Sequence, residues 1–242
     1  MSFLSIFKNS PEKKIAKARK RVKEPHGDAS VRVAACQTLA AMGTSEAIEA
    51  LLDRFKITVA PATQDESEKE QVFQWLVSCD VKSVHPLSRF LRAERQVYWP
   101  VKALRAILAE EEFIDSMEKT LAHLQENPPA SPETQAQMIR VIEDLHSSGL
   151  EEIITGHLRE RDDDICLASI DYLVQHAGDQ TRKTILECYL DSQDRPRIKA
   201  HLLDCLSEKG WVVRGFRAAV EKTLPAEYVL TRDGRIRRIG GR

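Results

Sequence analysis

A chain of 242 residues, 42% apolar and with a formal charge of -1, is long enough to bury a continuous core and is not a disordered tail. Ten glycines, ten prolines and 6% aromatic residues, set against many Ala, Leu, Glu, Lys and Arg, point to the all-α class. No stretch approaches the roughly 20 apolar residues of a bilayer span. Five cysteines without a C-x-x-C pair argue against a disulfide framework or zinc knuckle and for reduced thiols in a cytoplasmic protein.

Residues 1–27 read as a basic N-terminal segment. Eight basic residues face two acidic ones over residues 1–25, and nine face three over 209–242, so the near-neutral total hides two basic ends on an acidic body. Such ends either solvate a helical surface or engage partners, another copy of the chain included. "PEKKIAKARKRVKE" is expected to form a cap helix with Ile15, Ala18 and Val22 inward. The preceding "FLSIF" (Phe3, Leu4, Ile6, Phe7) is too short an apolar face to favour membrane docking over packing or local disorder, and its flanks are the reverse of a signal peptide.

Residues 28–224 read as a helical repeat array. "DASVRVAACQTLAAMG" carries small and apolar residues at Val31, Ala34, Ala35, Leu39 and Met42, with Gly43 suited to a left-handed helix end. Thr44 or Ser45 then caps a second helix with Ala47, Ile48, Leu51, Leu52 and Phe55 at core spacing. The outline returns with Val141, Leu145, Gly149, Ile154 and Leu158 in place of Ala35, Leu39, Gly43, Ile48 and Leu52, and again up to Gly178 and Gly210. A period near 30 residues is a repeat signature. Two degenerate pairs fill the interval, the first with Val72 and Leu76 in its core and the second with Pro100 near a helix start or kink. About six antiparallel helix pairs result, and one pair alone cannot bury both apolar stripes, so stacking is required. Acidic clusters at 110–112, 161–164 and 191–195 are expected to cap helices.

The first unit, D-x-x-V-R-x-x-A-A-x-x-L-x-x-x-G followed by A-I-x-x-L-L, resembles a HEAT repeat, in particular the short bacterial type also found in phycobilisome lyases. The resemblance is specific over 28–55, fair over 131–224 and weak over 65–126. It implies a curved α-solenoid whose second helices line a concave face.

Residues 225–242 change period. "EYVLTRDGRIRRI" places Asp233-Gly234 between runs that alternate by two, the signal of a β-hairpin. Pairing Arg232 with Arg235 puts Tyr228, Leu230, Arg237 and Ile239 on one face, expected to lid the last helix pair, and Val229, Thr231, Ile236 and Arg238 on the other.

Chemistry is hard to find. None of the seven histidines is followed by Glu, which disfavours the HEAT-repeat hydroxylase class with its paired His-Glu motifs. His123, His146 and His157 lack metal-ligand spacing. Nucleotide-binding and nucleophile-elbow motifs are missing, and the cysteines sit at small apolar helix positions. No catalytic, metal or cofactor-binding residue is assigned and no cofactor is expected. The expected role is a non-enzymatic scaffold that binds a protein partner along the concave face. Arg54, Arg89, Arg92, Arg214 and Arg217 are the candidates for that groove, and Tyr228, Arg235, Arg237 and Arg238 for a hairpin contact. The alternative is nucleic-acid binding, related to the HEAT-like alkylpurine DNA glycosylases, with the groove arginines on phosphate. Against it stand the glutamates of the same helices. A lyase or other enzyme subunit comes last.

Overall fold

A computed structural model describes residues 10–127 and 131–240. The "FLSIF" segment lies outside the described residues. The chain is 72% helical, with 13 α-helices among the described residues and a small two-stranded antiparallel sheet near the C-terminus. It divides into two compact units, Met1–Val141 and Ile142–Arg242.

The first unit opens with α1 (Pro11–Val22), whose Ser10 side chain accepts from Lys13 N. Ala18 and Val22 are buried and Ile15 is half-buried, and the helix packs on α2 (Ala29–Met42) and α3 (Ser45–Leu52). Asp28 caps α2, Gly43 closes it at φ 58°, and Thr44 caps α3. The burial of α2 differs from expectation. Val31 is exposed and Arg32 is buried, where its guanidinium meets the Glu68 carboxylate at 2.7 Å.

The unit continues with α4 (Ala62–Ser78), α5 (Val84–Ala93), α6 (Tyr98–Ile107), α7 (Glu110–Glu126) and α8 (Glu133–Val141). α2, α4, α6 and α8 touch in succession, and so do α3, α5 and α7. Each apolar stripe is thereby covered by the next pair, with Leu39, Leu51, Leu76, Leu91, Leu104 and Leu121 fully buried. Pro100 stands at the third position of α6, where its missing N–H costs nothing.

The second unit contains α9 (Ser148–Gly156), α10 (Asp163–His176), α11 (Asp179–Asp191), α12 (Pro196–Lys209) and α13 (Arg217–Thr223). α10 packs on α11 and α12, and α11 packs on α12 and α13. Of the repeat glycines in this unit, Gly210 alone takes the left-handed role, at φ 59°. Gly149 lies inside α9 after its Ser147 cap, and Gly178 is an extended residue before α11. Asp162 caps α10 as expected, whereas the 191–195 cluster leaves α12 without a side-chain cap.

The hairpin joins β1 (Tyr228–Leu230) to β2 (Ile236–Arg238) one residue out of the expected register: Tyr228 faces Arg238, Val229 faces Arg237 and Leu230 faces Ile236. The loop holds three residues, with Gly234 at φ 81° and Thr231 accepting from Arg235 N at 2.9 Å. A one-residue shift exchanges faces. Ile236 is therefore buried, with β2 against α12, and Arg237 stands on the opposite side of the hairpin from Tyr228.

Candidate functional site

Among the described residues each unit has a cationic concavity. In the first unit, α4, α6 and α8 border a groove of about 860 Å³ lined by Phe73, Tyr98, Lys102, Arg105, Arg140 and Val141, among others. The start of α6 has no cap of its own. Gln137 Oε1 on α8 supplies one, accepting from Val97 N at 2.9 Å and Tyr98 N at 3.1 Å. That contact fixes the start of α6, where Tyr98 lines the groove and Trp99 follows it.

Trp99 packs against Phe73 with ring centres 5.7 Å apart. Lys102 Nζ lies 5.2 Å from the Tyr98 ring centre and 4.9 Å from that of Trp99, so a cation already occupies one face of each ring. Arg105 donates to Val141 O at 3.1 Å, which ties α6 to the end of α8. Arg140 is exposed and makes no ion pair among the described residues. An occupant of this groove thus meets half-buried apolar surface flanked by positive charge.

In the second unit a basin of about 1010 Å³ lies between α11, the turn after α12 and the hairpin. Five cations line it, Arg182, Lys183, Lys209, Arg214 and Arg235, against the single carboxylate of Asp179. Arg182 stacks over Trp211 at 5.5 Å. The turn is held to the hairpin by an isolated bridge between Val212 and Arg235.

The arginines expected to form one groove have different fates. Arg54 is fully buried, its Nε 2.8 Å from Glu68 and its NH2 2.7 Å from Asp65, so it cannot line a binding surface. Arg32 shares the same Glu68 at 2.7 Å, and Lys69 holds Asp65 at 2.6 Å. Burial alone raises these carboxyls, but the hydrogen bonds, from Arg32 and Arg54 to Glu68 and from Lys69 and Arg54 to Asp65, hold both below their ordinary values. Arg89 on α5 is exposed and paired with Glu49 at 2.7 Å, while Arg92 is exposed without an ion pair among the described residues.

Arg214 stands in the turn before α13 instead of on a helix, and lines the basin. Arg217 begins α13 and is spent on Glu221 at 3.0 Å and Arg232 O at 3.2 Å. In the hairpin, Tyr228 donates to Asp204 on α12 at 2.5 Å, and Arg238 lies 3.6 Å from the same carboxylate. Those two residues anchor the hairpin to its helix. Arg235 faces the basin, and Arg237 is exposed.

The histidines weighed as ligands do not converge. His146 stacks on His176 at 5.1 Å, and His157 is buried, with desolvation pushing it down to about 4. Among the described residues one trio of metal-type side chains does come together: Asp171 on α10 with His201 and Cys205 on α12. Its sequence signal is a His and a Cys four apart on one helix face, with the Asp 30 residues before the His, one repeat period upstream.

Of the cysteines expected as core filler, Cys36 and Cys166 are buried, as is Cys188, whereas Cys79 and Cys205 are only half-buried. Cys188 also borders a cavity of about 660 Å³, together with Arg195. Cys166 Sγ donates to Leu158 O at 3.4 Å and Cys188 Sγ lies 3.9 Å from Ser192 Oγ, while burial pushes the Cys36 thiol up to about 12.

No family model matches this chain, and comparison with curated proteins and with solved structures gave no match.

Proposed function

We propose that this chain is a non-enzymatic interaction scaffold, built from stretches of HEAT-like α-solenoid, that captures an acidic, partly apolar segment of a partner protein. The observation that carries the reading is the groove of the first unit, where Phe73, Tyr98 and Val141 offer apolar surface beside Lys102, Arg105 and Arg140. Aromatic and Arg side chains in a partly desolvated pocket are the usual anchors of protein recognition. Lys102 covers one face of Tyr98 and of Trp99, and Phe73 packs on Trp99, which reduces the ring surface open to a nucleobase. The groove is bordered by the first helices of successive pairs, not by the second helices that HEAT repeats turn to their concave side. A cytoplasmic setting fits five cysteines that are all unbridged.

A second reading, nucleic-acid binding, is favoured by the five cations of the second-unit basin.

Peptide display against the intact chain tests the proposal. Selected peptides are expected to carry Asp or Glu beside large apolar residues and to lose binding to the variant Lys102→Glu/Arg140→Glu. Selection without acidic enrichment, or retention on that variant, overturns it. Oligonucleotide binding that falls steeply with salt and disappears in Arg182→Glu/Arg214→Glu moves the assignment to nucleic acid.

A further inference from the structure

His201 and Cys205 stand one turn apart on α12 and face Asp171 of α10. His201 Nε2 lies 2.6 Å from Asp171 Oδ1 and 3.7 Å from Cys205 Sγ, and all three ligand atoms fall within 4.8 Å of one another. We propose that these three side chains bind a zinc-type divalent metal ion, with a fourth coordination position left to water.

The dimensions suit the ion. Zn–N and Zn–O bonds near 2.0 Å and Zn–S near 2.3 Å place tetrahedral ligand atoms about 3.3–3.6 Å apart. The His–Cys separation already matches. The Asp–His pair must open by about 0.7 Å, a small rotation for side chains that are partly exposed. The donors suit it as well: imidazole, thiolate and carboxylate form a borderline set, and the ionised thiol and carboxylate together neutralise a dication. Exposure of 33% at His201 and 43% at Asp171 leaves an entry path. A bound ion would link α10 to α12, two helices already in contact, and so brace the second unit independently of the groove in the first.

Cobalt(II) is the probe, added to the intact, reduced chain and followed by absorption. The expected result is one Co²⁺ per chain, with a thiolate-to-cobalt charge-transfer band and the intense visible bands of a four-coordinate ion, both removed by excess Zn²⁺. His201→Ala and Cys205→Ser are expected to abolish the thiolate band, and the near-isosteric Asp171→Asn to weaken binding. Cys188→Ser is expected to keep the band, and far-UV circular dichroism confirms that each variant is folded. Absence of a thiolate band in the wild-type chain, its persistence in Cys205→Ser, or failure of Zn²⁺ to displace the cobalt overturns the site and leaves a histidine–aspartate ion pair.

Discussion

Replacing Glu68 by Gln keeps the shape of the side chain and removes its charge where two guanidinium groups depend on it. Glu68 accepts from Arg32 Nε and NH2, each at 2.7 Å, and from Arg54 Nε at 2.8 Å, with Arg32 3% and Arg54 0% exposed. Asp65 still serves Arg54 in the variant, but Arg32 loses its carboxylate partner and keeps the carbonyls of Glu24 and Gly27 with one neutral amide oxygen at 68. The new amide also turns one N–H₂ toward cations that only donate. Breaking a buried pair from one side costs about 3–5 kcal/mol, because a charge remains buried and uncompensated. At about 2–4 °C per kcal/mol for a chain of this size, the first unit should melt roughly 6–20 °C earlier. Calorimetry on Glu68→Gln beside Glu49→Gln is the assay. Glu49 pairs with Arg89 at the surface, at 34% and 65% exposure, where about 0–1 kcal/mol is the whole expected effect. A Glu68→Gln loss no larger than that of Glu49→Gln would refute the reasoning, since the cluster would then be behaving as if solvated.

His157 gives a pH signature in the second unit. Burial lowers it from 6.5 to about 4, so the unfolded chain takes up a proton first as the pH falls, and stability present above pH 6.5 is lost progressively down to about 4. Desolvation of that size corresponds to about 3 kcal/mol, and urea titrations of wild type and His157→Gln between those limits should show the steeper slope in the former. Gly43→Ala should cost about 1–2 kcal/mol, since φ is 58° and no atom crowds the new methyl, whereas Gly178→Ala, extended and open, should be neutral or slightly stabilising in the same melts. Iodoacetamide should alkylate Cys188 ahead of Cys36 when followed by mass spectrometry, because Cys188 borders a cavity and burial pushes the Cys36 thiol up to about 12; the reverse order would contradict that assignment.

Local chemistry was what the sequence made legible. Asp28, Gly43 and Thr44 act within four residues of themselves, so the turn between α2 and α3 is readable from one line of text. Arg54 looked like a surface cation because its partners, Asp65 and Glu68, arrive from the next helix. Burial of a charge is a tertiary event that helical periodicity does not record. The hairpin shifted register because Asp-Gly was read as a two-residue turn, while Thr231 closes a three-residue one. Tyr98 and Trp99 were passed over since they fall on a first helix. Their significance depends on Gln137 and Arg140, some 40 residues later, which α8 brings alongside α6. The metal-type trio escaped for the same reason, its third member being one repeat away.

The central claim is that the chain captures a protein through the cationic groove of its first unit. Affinity capture from lysate of the native source, with and without nuclease and with Lys102→Glu/Arg140→Glu in parallel, tests it most directly. The account predicts a discrete protein bearing an acidic, partly apolar segment, retained after nuclease and lost from the variant. Recovery of nucleic acid, with co-purifying proteins released by nuclease and the variant unaffected, would contradict it.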